Sequence, residues 1–198
     1  MAVSDTSPYS GHISPWDTVD SSMVQDCRVF SVHRHRRRNT RREGTFYVLQ
    51  GADWCNIIPL TADDEVVMIE QFRHGTRDVT LEIPGGIVDA SDTTPAEAAR
   101  RELREETGWD GTEIEPLGTI APNPAIQSNH CHSFLVRDAR PVTEQRPDDE
   151  EEIHVRLVPL CEVPDLILRG VIDHALVVVA FSYLFLQRPE LLKSTHVQ

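Results

Sequence analysis

Arg101-Glu102-Leu103-Arg104-Glu105-Glu106-Thr107-Gly108-Trp109 is the stretch from which the rest of the chain can be read. It ends a segment that opens with Thr94-Pro95-Ala96-Glu97, a capping box with Thr at the N-cap, Pro at the first helical position and Glu at N3. Ala, Arg, Leu and Glu between them favour helix, and Gly108 supplies a stop. The spacing therefore predicts a helix over 95–107. On that helix Glu102, Glu105 and Glu106 stand at i, i+3 and i+4, which puts their carboxylates on one face. Arg101 and Arg104 are expected to project elsewhere around the cylinder. Like charges on adjacent turns repel, and a hard cation held between them converts that repulsion into binding. All-oxygen donors suit Mg²⁺. An acidic face turned to water is the alternative that the helix alone leaves open.

Working outward, Asn56 to Leu60 and Glu65 to Phe72 are apolar runs of buried-strand type, divided by the turn signal Thr61-Ala-Asp-Asp. Leu81-Glu-Ile-Pro-Gly-Gly predicts a short strand entering a tight glycine turn. Further strands are expected at Glu113 to Ile120, Ser133 to Val136 and Ile153 to Pro159. Two helices should follow, one from near Cys161 and one from Asp173, as N-cap, to just before Pro189. Strands and helices mix without regular βαβ alternation, which predicts an α+β fold with a mixed sheet between helices. Residues 1–13 read as a disordered lead-in, 14–50 as an N-terminal β-hairpin region, 51–189 as the main domain and 190–198 as a C-terminal tail. The hairpin tip, His33 to Glu43, carries six arginines. It is either a basic patch for phosphates or a solvated turn, and charge runs usually face water.

Composition sets the outer bounds. Of the 198 residues 39% are apolar and 26% charged, an ordinary globular balance. The formal charge of −13 argues against nucleic acid or an anionic membrane as partner. An anionic substrate would need its charge offset locally, which a metal ion does. Cys27, Cys55, Cys131 and Cys161 are scattered and form no CxxC pair, so each reads as a small buried apolar residue. The N-terminus lacks a basic segment followed by an apolar run, and Ala175 to Leu186 falls short of the roughly 20 residues that span a bilayer. A cytoplasmic protein is expected.

Gly85-Gly86 ahead of the helix, with Arg101-Glu102-Leu103-Arg104-Glu105-Glu106-Thr107-Gly108 at its end, resembles the Nudix box. Trp109 stands where that box has an aliphatic residue. The box also leaves five residues between its glycine and an early glutamate, and seven between that glutamate and the arginine. Here the fifth spacing after Gly86 leads to Asp92, and eight residues separate Asp92 from Arg101, so one residue is inserted and Asp replaces Glu. The resemblance runs over roughly residues 16 to 187. Glu70-Gln71-Phe72-Arg73-His74 and Leu81-Glu82-Ile83-Pro84-Gly85-Gly86 are similar to the segments preceding the box in ADP-ribose pyrophosphatases and related nucleoside diphosphate sugar hydrolases. Pro124 lies sixteen residues past Gly108, a spacing associated in that group with ADP-ribose-type substrates.

The resemblance implies a Nudix fold, an α/β/α sandwich with additional N-terminal strands, and Mg²⁺-dependent hydrolysis of a diphosphate linkage. Mn²⁺ is a possible substitute. It implies Gly85 (by its carbonyl), Glu102, Glu105 and Glu106 as metal ligands, with Glu105 and Glu106 also catalytic. Arg101 would hold carboxylates by ion pairing. Glu151, within Asp148-Asp149-Glu150-Glu151-Glu152, would be the later-loop base. Substrate contacts fall to Arg73, Glu82, Pro124 and Asn129, although Arg73 has an alternative as an ion-pair partner of Glu82. Trp54, Phe46 and Tyr47 are offered for base stacking, with core packing the more expected role. His130 and His132 flank Cys131, with a zinc site as the minor reading and a pocket-lining His132 as the major one. A homodimer is implied by the resemblance alone. The rivals are hydrolysis of another nucleotide, such as a dinucleoside polyphosphate or NADH, and a sensor that binds such metabolites without cutting them.

Overall fold

The computed structural model describes residues 13–147 and 151–193. The expectations for residues 1–12 of the lead-in, for residues 194–198 of the tail and for Asp148, Asp149 and Glu150 lie outside the described residues. The chain forms two compact units. One holds the described residues up to Gly51 together with Asn123–Ser128, and the other holds Ala52–Pro122 and the described residues from Asn129 onward.

The first unit is an antiparallel meander of β1 (Asp17–Asp26), β2 (Ser31–Arg38) and β3 (Glu43–Gln50). The sequence predicts one hairpin with a long arginine tip. Instead β2 runs through Arg38, and the tip shrinks to the turn between Arg38 and Glu43. Cross-strand carboxylates make this possible, since Asp20 pairs with Arg34 at 3.9 Å and Glu43 with Arg36 at 3.5 Å. β1 is nearly all exposed, and its three apolar residues, Val19, Met23 and Val24, do not alternate. The segment carrying Pro124 joins this unit through β3, where the Leu49 N–H donates to Ile126 O at 2.8 Å.

The second unit contains β4 (Trp54–Pro59), β5 (Glu65–Arg73), β6 (Asp78–Glu82), β7 (Gly85–Ile87), α1 (Pro95–Thr107), β8 (Trp109–Asp110), β9 (Ile114–Ile120), β10 (Cys131–Val136), β11 (Arg140–Pro141) and β12 (Ile153–Pro159). A 3₁₀ turn at Leu160–Glu162 leads into α2 (Val163–Leu168), followed by α3 (Ala175–Gln187) and α4 (Glu190–Lys193). A mixed sheet has the order β7-β4-β10-β9, parallel between β4 and β10 and antiparallel elsewhere. A second, antiparallel sheet has the order β12-β5-β6, and β8 pairs with β11.

Strand alternation builds the sandwich. Cys55 and Ile57 of β4, with Phe134 and Val136 of β10, bury one face of the mixed sheet against Ala98, Ala99 and Leu103 of α1. Ile58 and Leu135 point the other way, into a core with Val177, Ala180, Phe181 and Leu184 of α3, and β5, β6 and α2 join it through Met68, Leu81 and Leu166. The expected α+β architecture with helices on both faces of a mixed sheet is the one observed.

Three local expectations are corrected. Gly85 and Gly86 sit in a strand paired with β4, not in a turn. α3 starts at the His174 carbonyl, which accepts the Val177 and Val178 N–H groups at 3.0 Å, so Asp173 lies one residue outside the cap. Cys55 and Cys131 are buried, with thiols pushed up to about 12 by that burial, but Cys27 and Cys161 are exposed. Among the described residues no helix is long and apolar enough to cross a membrane.

Candidate active site

The helix predicted from the capping box forms over its full expected length. The Thr94 hydroxyl accepts the Glu97 N–H at 3.2 Å, the Glu97 carboxylate accepts the Thr93 N–H at 3.1 Å, and Gly108 ends the helix at φ 75°. Burial of Ala98, Ala99 and Leu103 fixes its rotation and turns the glutamates toward β7. Glu106 is 3% exposed and accepts the Gly85 N–H at 2.9 Å. Glu102 lies against Gly86, so closely that a β-carbon there would meet Glu102 Oε1 at 2.5 Å. Glu105 is half exposed. The three carboxylates share a side of the helix but differ in depth.

Arg104 projects away, as expected, and pairs with Asp110. Arg101 does not. Its Nη1 donates to Glu102 Oε1 at 3.0 Å and to Glu105 Oε2 at 2.9 Å, so a cation is interleaved with the acidic face after all. Asp92 holds the other side of the guanidinium, accepting from Nε at 3.2 Å and Nη2 at 2.9 Å. The inserted residue therefore leaves the early acid in touch with the box arginine. Asp92's carboxyl is held below its ordinary range by those hydrogen bonds. The chain of contacts runs from Asp92 through Arg101 to Glu102 and Glu105.

Electrostatics separate the deep pair from the rest. Burial pushes Glu102 up to about 7, against the pull of Arg101 and helped by repulsion from Glu105 and Glu151. Glu106 is pushed well above its ordinary value by burial, with Glu102 and Glu151 adding to it and the Gly85 N–H opposing it. Burial penalises the charged form of both carboxylates, and a divalent cation beside them would offset that penalty. The donor set is all oxygen and fits a hard cation in kind. As they stand, no three His, Cys, Asp or Glu side chains among the described residues are gathered closely enough to hold a metal. Arg101 and the Gly85 N–H occupy oxygens that coordination would use.

Beside this cluster Arg73 and Glu82 form a two-pronged ion pair, Nε to Oε1 and Nη2 to Oε2, each at 2.7 Å. The alternative reading of Arg73 is thus present in the structure. Burial alone would raise Glu82, but hydrogen bonds from Arg73 and Thr80 and the Arg73 charge bring it below its ordinary value. The Gln71 amide donates to Glu151 Oε1 at 3.4 Å, and the Glu151 charge reaches Arg73, Glu102 and Glu106, which brings the proposed base into the same electrostatic neighbourhood. Asn129 stands just before β10, buried, its amide nitrogen without a partner among the described residues. Pro124 belongs to the other unit. His132 spends both ring nitrogens, on Asp53 at 3.1 Å and on Thr119 at 2.9 Å, while His130 stands 3.8 Å from Asp53, an arrangement unlike a zinc site. Phe46 and Tyr47 are exposed rather than packed in a core.

Sequence reasoning missed Thr80, His174 and Asn56. Thr80 and His174 both act on Glu82, and Asn56 pairs across the sheet with Gly85 while its side-chain oxygen lacks a partner among the described residues. Register across strands brings Thr80 and Asn56 into place, and no motif marks any of the three.

The family model described as the NUDIX domain matches residues 55–181. This chain belongs to the Nudix family. As a Nudix protein it is a pyrophosphohydrolase, acting on phosphorus-containing anhydrides. It is 27% identical over 172 residues to an ADP-ribose pyrophosphatase of Bacillus subtilis, covering 86% of this chain and 90% of that one. It is 33% identical over 140 residues to an ADP-ribose pyrophosphatase of Saccharomyces cerevisiae, covering 65% of this chain and 57% of the yeast protein. A crystal structure of an ADP compounds hydrolase superposes with a TM-score of 0.77 at 20% identity, over 88% of this chain and 95% of the other, which shows a shared fold. Within the Nudix box of this chain, Trp109 packs against the α1 core cluster, so it fills the apolar place of the usual aliphatic residue.

Proposed function

We propose that this Nudix protein hydrolyses the diphosphate linkage of ADP-ribose or a related nucleoside diphosphate sugar, giving a nucleoside monophosphate and a sugar phosphate. The observation that carries the reading is a pair of carboxylates turned inward, Glu106 buried and Glu102 partly buried, set against Gly85 and Gly86. The named activities of the bacterial and yeast relatives support the choice of substrate class.

Glu102, Glu105 and Glu106, with the Gly85 carbonyl, would hold Mg²⁺, for which Mn²⁺ would substitute. When bound, the ion neutralises diphosphate oxygens and makes a bound water more acidic. The protein's own groups do the rest. Glu151 accepts the proton of the attacking water. Arg101, anchored by Asp92, keeps Glu102 and Glu105 from swinging into solvent. Arg73 is steadied by Glu82 through two of its nitrogens and presents Nη1 to a phosphate oxygen. Asn129 and Pro124 contribute to substrate contact, and a homodimer of this small-molecule enzyme accompanies the reading.

A Mg²⁺-supplemented screen against ADP-ribose, other nucleoside diphosphate sugars, dinucleoside polyphosphates and NADH tests the proposal. ADP-ribose or another diphosphate sugar should release a nucleoside monophosphate fastest, and chelation should stop it. Turnover that survives chelation, or none on any diphosphate sugar, overturns it. A light-scattering mass of one chain would remove the dimer.

A further inference from the structure

The arginines of the N-terminal unit have no part in the carboxylate site. Residues 1–51 carry seven arginines and five acidic residues, a net of +2 in a chain whose total is −13. Arg34 and Arg36 are matched by Asp20 and Glu43. Arg41 and Arg42 have no acidic partner among the described residues, and their side chains are exposed. Both line a cavity of about 190 Å³ together with Ile13, Ser14, Trp16 and Asn39.

The walls of this cavity are held in place by the protein itself. Asn39 Oδ1 accepts the N–H groups of Arg41 and Arg42 at 2.9 Å each, and the Asn39 N–H donates to Arg42 O at 2.9 Å, which closes the turn. The Thr40 hydroxyl donates to Ser14 Oγ at 3.3 Å and ties the turn to the opposite wall. Trp16 stands edge-on to Phe46, with centroids 5.1 Å apart, so the indole is braced. A site shaped in advance loses little entropy when filled.

Two guanidinium groups without an acidic partner among the described residues, beside an indole and a carboxamide, make a recognition set for an anion attached to a flat ring. The guanidinium fork matches phosphate oxygens, and the indole offers a stacking surface. No carboxylate of the described residues lines the cavity, so none of them offers a general base there. We infer that this cavity is a non-catalytic site for a nucleoside monophosphate, with the phosphate on Arg41 and Arg42 and the base against Trp16.

The test is an ¹⁵N–¹H titration of the full chain with AMP in EDTA, where no metal-dependent turnover intervenes and where failure of the hydrolase reading would leave the result standing. The Trp16 indole N–H, assigned through Trp16→Phe, should shift saturably. Affinity should fall at least tenfold in the Arg41→Ala/Arg42→Ala double variant and equally in the Arg41→Gln/Arg42→Gln one, both of which should keep the wild-type spectrum elsewhere because the replaced side chains are exposed. Adenosine and inorganic phosphate should each bind at least tenfold more weakly than AMP. An unmoved indole, unchanged affinity in the double variants, phosphate binding as tightly as AMP, or an oligonucleotide binding more tightly than AMP would each overturn the assignment.

Discussion

Replacing each box glycine with alanine separates catalysis from folding. Neither Gly85 nor Gly86 has a positive φ, so a methyl group adds no backbone strain at either position and the two changes differ only in what the methyl meets. At Gly86 it meets the end of a flexible side chain, Glu102 Oε1 at 2.5 Å and Cδ at 2.7 Å. Relief of that overlap moves the carboxylate by roughly 1 Å, a displacement that can cost on the order of 100-fold in rate when it misplaces a group at the reacting centre. Stability should change by less than about 1 kcal/mol, because the crowded group can swing and the unfolded chain loses the freedom of glycine. At Gly85 the methyl meets backbone, Asn56 Cα at 2.8 Å and the Cys55 carbonyl closer still. The β4–β7 pairing must open, at a cost of about 1–3 kcal/mol for overpacking. Urea unfolding followed by circular dichroism, beside kcat on ADP-ribose with Mg²⁺, reads both effects. Gly86→Ala that keeps activity within threefold of wild type, or Gly85→Ala that is as stable as wild type, would refute the account of how β7 seats the carboxylates.

Other expectations come from the same contacts. Glu106→Gln preserves shape and an acceptor for the Gly85 N–H, so the melting temperature should hold while kcat falls by several orders of magnitude; near-normal activity would remove Glu106 from the metal site. Asp92→Asn should lower kcat about ten- to hundredfold by loosening Arg101, in line with outer-sphere partners of metal ligands, and a loss below twofold would show that the inserted loop has released the early acid from that duty. Arg73→Ala strands the Glu82 carboxylate, whose side chain is 3% exposed. Breaking a buried pair costs 3–5 kcal/mol, and with Arg73 39% exposed about 2 kcal/mol is expected near pH 7.5. In the wild type the folded Glu82 value is lowered, so the pair's contribution is complete above the usual glutamate value of 4.5 and is lost as pH falls through the folded value. In the variant burial is no longer offset by Arg73, the folded value rises, and the penalty fades as acid protonates Glu82. The stability gap should therefore shrink between pH 7.5 and pH 4.5 in urea titrations, and a gap that stays constant or widens would contradict the pairing.

Much of the fold was legible because its signals are local. Thr94, Pro95, Glu97 and Gly108 mark the ends of α1 through groups that bond within four residues in the chain, and β12 begins and ends where its apolar pattern does. The arginine-rich β2 was misjudged because its carboxylate partners Asp20 and Glu43 lie on neighbouring strands, and a solvated strand leaves no apolar stripe to read. Helix geometry alone misplaced Arg101 for a related reason, although the family resemblance puts it on the carboxylates, where it is found. A long side chain with four rotatable bonds goes where its partners are, and Asp92 is nine residues away in a loop.

By itself the sequence determined that a capped helix would carry three glutamates along one side, that glycines would lie ahead of it, and that this combination belongs to the Nudix family. Those features depend on residue type at short, fixed separations. Tertiary structure alone decided the depth of each glutamate, the occupation of Arg73 by Glu82, and the reach of the Glu151 charge to Glu102 and Glu106. Burial and charge act through space, and the strand register that sets those distances is written in the packing of the whole unit rather than in any one segment.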